Sequence, residues 1–200
     1  ATPCPAGTFN SGEGGKSVVS CQKCPAGTFN PDEGGASEAS CKICTPGKYC
    51  LGGNSLEDGD CQAGYFCPAG SINGKGQTFY SNSENQCLQG EFCPEGSASE
   101  SPCTPGFYCP EFATDEIICP KGHYCPQNSV RAFRCPAGKY NHEMKKTSLT
   151  DCKVCDAGYY CPEASISSTG QTSSDSNEKL CSAGYYCEAG SINGRGHLFV

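Results

Sequence analysis

Apolar residues are sparse along this 200-residue chain, and none of its stretches keeps the three-to-four-residue spacing of an amphipathic helix. Residues 131–146 come nearest, and Pro136 and Gly138 interrupt them. The hydrophobic pattern that does recur is a single aromatic ring following a cysteine and a glycine, C-x2-G-x-F/Y. It occurs ten times, starting at Cys4, Cys24, Cys44, Cys61, Cys87, Cys103, Cys119, Cys135, Cys155 and Cys181. The fourth position is always glycine: Gly7, Gly27, Gly47, Gly64, Gly90, Gly106, Gly122, Gly138, Gly158 and Gly184. The sixth is always aromatic: Phe9, Phe29, Tyr49, Phe66, Phe92, Tyr108, Tyr124, Tyr140, Tyr160 and Tyr186. A glycine fixed at one offset predicts a turn at positive φ or a close backbone approach. Pro-Ala-Gly, after Cys4, Cys24 and Cys135 and again after Cys67, fits a tight turn. The rings are expected to begin short strands and to form the apolar seam. Asn73-Gly74 and Asn193-Gly194 predict two-residue hairpin turns. The expected fold class is therefore small disulfide-rich repeats, an elongated array of short strands and turns with almost no helix.

The seventh position separates two kinds of unit. Seven short units carry cysteine there: Cys50, Cys67, Cys93, Cys109, Cys125, Cys161 and Cys187. Three long units carry Asn10, Asn30 or Asn141 instead, and each gains a cysteine eleven residues later, at Cys21, Cys41 and Cys152. The organisation reads as two long units over 4–43, five short units over 44–134, one long unit over 135–154, and two short units over 155–200, the last incomplete. A larger period overlies this one. Cys24, Cys41, Cys44 and Cys50 return at Cys135, Cys152, Cys155 and Cys161, and residues 71–76 return at 191–196 with only Lys75 changed, to Arg195.

Composition explains why the units need cysteine. The chain holds 20 Cys, 26 Gly and 14 Pro, with no Trp and one Met, so an aliphatic core is out of reach. Cysteine at this density marks a disulfide scaffold formed in an oxidising compartment, and the expected location is extracellular or at the cell surface. A net charge of −7 argues against nucleic-acid partners, which require clustered cations. No apolar run is long enough to enter a membrane as a spanning helix. Two disulfide registers fit the exchange of the seventh cysteine for a later one. In the first, every unit closes on itself, as in Cys4–Cys21 and Cys44–Cys50. In the second, each unit's last cysteine joins the next unit's first, as in Cys50–Cys61, which requires C-x2-C bridges and leaves Cys4 and Cys187 unmatched.

Other chemistry is weakly represented. Cys21-x2-Cys24 with Cys41-x2-Cys44 matches a zinc-ribbon spacing, but the remaining cysteines call for oxidation. His123, His142 and His197 are scattered, and no nucleophile elbow is present. Residues 57–60, Glu-Asp-Gly-Asp, resemble a fragment of a calcium loop without its alternating ligands. No cofactor and no catalysis are expected. Asn-x-Ser/Thr does not occur, so any sugars are expected to be O-linked on polar loops, above all on residues 165–176.

The long units, Cys4-Pro5-Ala6-Gly7-Thr8-Phe9 through Cys21-Gln22-Lys23-Cys24, resemble the ephrin-receptor-like cysteine-rich repeat and the simplest module of tumour-necrosis-factor-receptor domains. The match covers 4–44 and 135–155. The short units are similar to tandem arrays in large extracellular proteins of protists. The resemblance implies an extracellular, elongated, non-catalytic protein, and it implies the self-closing register for the long units. Two functions follow. The first is a building block of a filament or surface coat, assembling head to tail with copies of itself or further repeats. The second is the stalk or ligand-binding ectodomain of a receptor. Residues 188–200, with Leu198 and Phe199, are expected to pack near the Cys4 unit of a neighbour. An array also predicts a radius of gyration well above the roughly 16 Å of a compact domain of this length. Small-angle scattering that returned the compact value would contradict it.

Overall fold

The computed structural model describes residues 2–13 and 15–198. Expectations about Phe199 and Val200 lie outside them. The chain divides into two compact bodies. One comprises Ala1–Leu88, Phe92–Ser101 and Phe112–Asp115; the other comprises Gln89–Glu91, Pro102–Glu111 and Glu116–Val200.

Both bodies are made of the same small disulfide-rich unit. It opens with a turn in which the fifth-position N–H bonds the second-position carbonyl, as in Thr8 to Pro5 and Lys139 to Pro136, both at 3.1 Å. The third corner of that turn is the invariant glycine, at φ between 76° and 91° in all ten units. Positive φ at this corner defines a type II turn, and only glycine adopts it without strain. In seven units the fifth and sixth residues then form a two-residue antiparallel strand pair with the residues just before the next unit's cysteine, and in the Cys61 and Cys155 units a single bridge, Tyr65 with Gln86 and Tyr159 with Leu180, stands in its place. In the first body Thr8 faces Lys23 and Tyr49 faces Gly59; in the second His123 faces Arg134 and Tyr140 faces Lys153. Among the described residues helix is confined to three single 3-10 turns, Val18–Ser20, Glu38–Ser40 and Leu149–Asp151. Each occupies a long unit just before its late cysteine. The stretch 131–146, the nearest helix candidate, forms the strands Phe133–Arg134 and Lys139–Tyr140.

Every disulfide closes within one unit. Long units join Cys4–Cys21, Cys24–Cys41 and Cys135–Cys152; short units join Cys44–Cys50, Cys61–Cys67, Cys87–Cys93, Cys103–Cys109, Cys119–Cys125, Cys155–Cys161 and Cys181–Cys187. This is the self-closing register. Each closure restricts the unfolded chain by about 2–3 kcal/mol in the chain-entropy picture. The core is cystine, and the aromatic seam expected from the sequence is not its substance. Among the described residues the buried apolar ones are cysteines joined only by Phe9 and Ala113, while most sixth-position rings are half-buried. The Asn-Gly expectation also fails. Asn73 and Asn193 turn their Oδ1 back to accept the N–H of Lys75 and Arg195, and the positive φ falls on Gly76 and Gly196. The resulting loops are six residues long, from Ser71 paired with Thr78 and from Ser191 paired with Leu198.

Peptide mapping without reductant should recover only pairs separated by 6 or 17 residues. A Cys50–Cys61 or Cys21–Cys24 peptide would refute this architecture.

Candidate functional site

With no disulfide between units, what joins them is backbone. The invariant glycine both donates and accepts across each junction. In the first body the N–H groups of Gly7, Gly27, Gly47 and Gly64 donate to the seventh-position carbonyls of the next unit, Asn30, Cys50, Cys67 and Cys93. In the second body Gly90, Gly106, Gly122, Gly138 and Gly158 donate to Cys109, Cys125, Asn141, Cys161 and Cys187, and the whole series spans 2.7–2.9 Å. Each glycine carbonyl accepts the N–H of the next unit's first cysteine, from Cys24 to Gly7 through Cys181 to Gly158, at 2.8–3.0 Å.

Two further bonds complete each junction. The seventh-position N–H reaches a carbonyl in the next unit's second turn, as in Cys67 to Ser97 and Cys161 to Ser191. One residue earlier in that turn, an N–H returns to the preceding unit's first cysteine carbonyl, as in Gly96 to Cys61 and Gly190 to Cys155. That returning residue always has positive φ: Gly34, Gly53, Gly70, Gly96 and Gly190, but also Phe112, Asn128, Lys145 and Ala164 near 60°. The sequence reading missed this second position because glycine fills it only part of the time. The signal was present nonetheless, as C-P-x-x-S at residues 67–71, 93–97, 125–129 and 161–165. Its serine folds back, with Ser71, Ser129 and Ser165 buried and donating from Oγ to Pro68, Pro126 and Pro162 at 2.5–2.7 Å.

The invariant glycines also leave room for a third unit. A Cβ on Gly7 would lie 2.3 Å from the carbonyl oxygen of Gly53, and one on Gly122 would lie 2.3 Å from that of Ala164, in each case two units onward. No side chain fits there. Gly158 and Gly184 keep the same φ but have nothing within 4 Å of that position, and both are exposed where the other eight are buried.

The long-unit asparagines substitute for the missing sulfur with hydrogen bonds. Asn30 and Asn141 are buried. Their Nδ2 atoms donate to the fifth-position carbonyls of the preceding unit, Thr8 at 3.1 Å and His123 at 2.8 Å. Their Oδ1 atoms accept from Asp32 and Glu143 N–H.

The remaining candidates are occupied or dispersed. Glu57 accepts from Thr45, Asp58 from Leu51 and Asn54, and Asp60 pairs with Lys48, so the acidic loop spends its carboxylates on its own chain. Cys24 and Cys41 of the zinc-ribbon spacing are bonded to each other. No group of three metal-binding side chains forms among the described residues. Exposed partners shift a few surface groups: a hydrogen bond from Lys146 lowers Glu143, and one from Lys179 lowers Asp175. Half of the serine-rich stretch is not a flexible loop at all. Residues 165–171 repeat the 71–77 turn, with Ile166 N–H on Gln171 as Ile72 N–H is on Gln77, and Gly170 at φ 80°. In the first body Phe79 and Tyr80 meet edge to face at 5.4 Å, exposed beside a cleft lined by Ala26, Ile43 and Ala69.

No protein-family model matches the chain, and no curated protein matches it. No helix among the described residues is long and apolar enough to cross a membrane. The chain is a disulfide-bonded, cysteine-rich array of repeated two-strand hairpin units, of the kind that forms in an oxidising environment.

Amide exchange tests the junction. Gly122→Ala should cost about 2 kcal/mol or more, from unfavourable φ plus the clash, and should speed exchange at Gly122 and Cys135 some 30-fold. Gly158→Ala carries only the φ cost, about 1 kcal/mol. Ala164→Gly relieves positive φ and should slow exchange at residue 164 about fivefold. Equal effects of the two Gly→Ala changes would rule out the two-units-onward contact.

Proposed function

We propose that this chain is a structural, non-catalytic building block of an extracellular filament or cell-surface coat. The observation that carries the reading is the junction itself. It is made almost wholly of backbone hydrogen bonds repeated in one pattern, so any unit of the motif can dock on any other whatever its loops contain. An assembly built this way adds units without needing a new interface. The resemblance of the long units to ephrin-receptor-like repeats supports an extracellular setting, and so does the placement of all twenty cysteines in disulfides. Exposed Ser173, Ser174 and Ser176 are the candidates for O-linked sugars. Self-association with copies or further repeats is the expected partnership.

The second reading, a receptor stalk or ligand-binding ectodomain, is favoured by the Phe79–Tyr80 pair, an exposed aromatic surface that the junctions do not use. Electron microscopy of native material separates the two. Extended fibres of repeating subunits, falling apart on reduction, are expected. Isolated particles anchored singly in membrane would replace the filament with the receptor.

A further inference from the structure

Two loops of the chain share one backbone course and differ in their side chains. One runs from Ser71 to Cys87 and the other from Ser165 to Cys181, and in each a threonine closes a tight turn at the tip. Thr78 N–H bonds Ser81 C=O at 2.9 Å in the first body, and Thr172 N–H bonds Asp175 C=O at 2.8 Å in the second. The tip residues are Phe79 and Tyr80 in the first loop and Ser173 and Ser174 in the other. The turn therefore does not need the rings, yet it holds them out at 72% and 95% exposure. A contiguous apolar patch left in solvent marks a place of interaction. The 3-10 turns of the long units offer a second comparison. Glu38 opens one and Leu149 opens its counterpart, so the fold does not require the carboxylate either. Among the described residues the Glu38 side chain has no hydrogen-bond or ion-pair partner.

These three side chains, each dispensable to the fold, meet in the first body. Phe79, Tyr80 and Glu38 line one cleft of about 370 Å³ together with Ala26, Ile43 and Ala69, and among the described residues Glu38 is the only charged one in its walls. The rings stand at 85° with their centroids 5.4 Å apart, so they make a corner and not a platform. A flat sugar ring stacks on one aromatic face and gains little from a perpendicular neighbour. A compact cation in the corner meets the electron-rich face of a ring and finds a carboxylate in the same cleft, which are the elements of an aromatic cage. Elsewhere the chain sets its own cations on rings: Lys145 lies 4.7 Å from the centre of Phe107, and Arg131 lies 5.7 Å from that of Phe133. Among the described residues no cation lies over Phe79 or Tyr80. We propose that this cleft binds an arginine or lysine side chain of a partner protein. The rings take the cation, Glu38 balances its charge, and Ile43 and the alanines cover its aliphatic stem. No junction bond uses these side chains, so the inference holds whether the array is a filament or a stalk.

Backbone amide shifts of the isotope-labelled chain, produced in an oxidising compartment, test this with two probes of one shape. One is the peptide acetyl-Ala-Arg-Ala-amide; the other carries citrulline, which keeps the planar end of arginine without its charge. The arginine peptide should shift the amides of Glu38, Ile43 and residues 78–81. It should bind at least about fivefold more tightly than the citrulline peptide, by a margin that shrinks as salt is raised. Glu38→Leu should weaken arginine binding about threefold, and Phe79→Ser combined with Tyr80→Ser about fivefold or more. These changes give each position the residue its counterpart carries in the second body. Val19→Ser, at a site 87% exposed in the first body and not in the cleft wall, should leave binding unchanged. Unaltered amide shifts away from the cleft, with the same non-reducing disulfide map, show that each variant has folded. Equal binding of the two peptides overturns the proposal, as does the absence of shifts at these residues at millimolar peptide. A methyl glucoside that shifts the same amides while the arginine peptide does not would replace the cation with a sugar. None of these outcomes bears on the filament reading, which microscopy decides.

Discussion

A glycine that must donate, accept and carry no side chain organises this protein. At Gly122 the N–H is held by Asn141, the C=O by Cys135 N–H, and the space a Cβ would fill by the Ala164 carbonyl. All three constraints come from units that follow in sequence, and all three demand the positive φ of the turn's third corner. The rest of the unit serves to hold that corner in place. The disulfide pins the two ends of the turn, and the two-residue strand delivers the next cysteine to the glycine carbonyl. A hydrophobic core of the usual kind is unnecessary, because each unit has few degrees of freedom left once its cystine is closed.

Covalent and non-covalent bonds are thus divided cleanly by scale. Disulfides act only inside units, and the bonds that span the junctions are hydrogen bonds. The division explains how long and short units alternate without disturbing the array. A long unit moves its second cysteine out to a 3-10 turn, and the vacated position is filled by asparagine, whose amide ties to the carbonyl of the unit before it. The junction sees the same backbone either way. Side chains between the cysteines are free to vary, which is why exposed Lys, Glu and Ser crowd the loops while the buried side-chain polar groups of the described residues all find partners.

The unit, its two classes, the turn and the scarcity of helix were legible in the sequence because each rests on a residue that has no substitute: cysteine for the staple, glycine for φ near 85°. The second positive-φ position was hidden because its requirement is softer. Its Cβ is not opposed by a carbonyl, so Phe112, Asn128, Lys145 and Ala164 tolerate it at a cost of about 1–2 kcal/mol each. The third copy of the loop was hidden by Ser167 in place of Asn73. A hydroxyl at the same point accepts Gln171 N–H and holds the turn, so residues that look like a polar linker are ordered. The aromatic seam was overread for the opposite reason. A ring in every unit suggested a core, but burial goes to the cystines, and most of the rings stay half-exposed.

Because eight of the ten invariant glycines, Gly7 through Gly138, are enclosed by the unit after next, the array is more cooperative than a chain of nearest-neighbour contacts. One following unit supplies the hydrogen bonds of Gly122; only the second, through Ala164, excludes water from its Cα. Adding a unit therefore finishes two positions at once: it completes the junction it joins and seals the one before. An isolated pair of units would have its hydrogen bonds made but exposed, where each contributes little against competition from water. Three or more in succession shelter the same bonds. This is a physical reason for the motif to occur in long runs, and for its turn to reject every residue except glycine at the one place where three units meet.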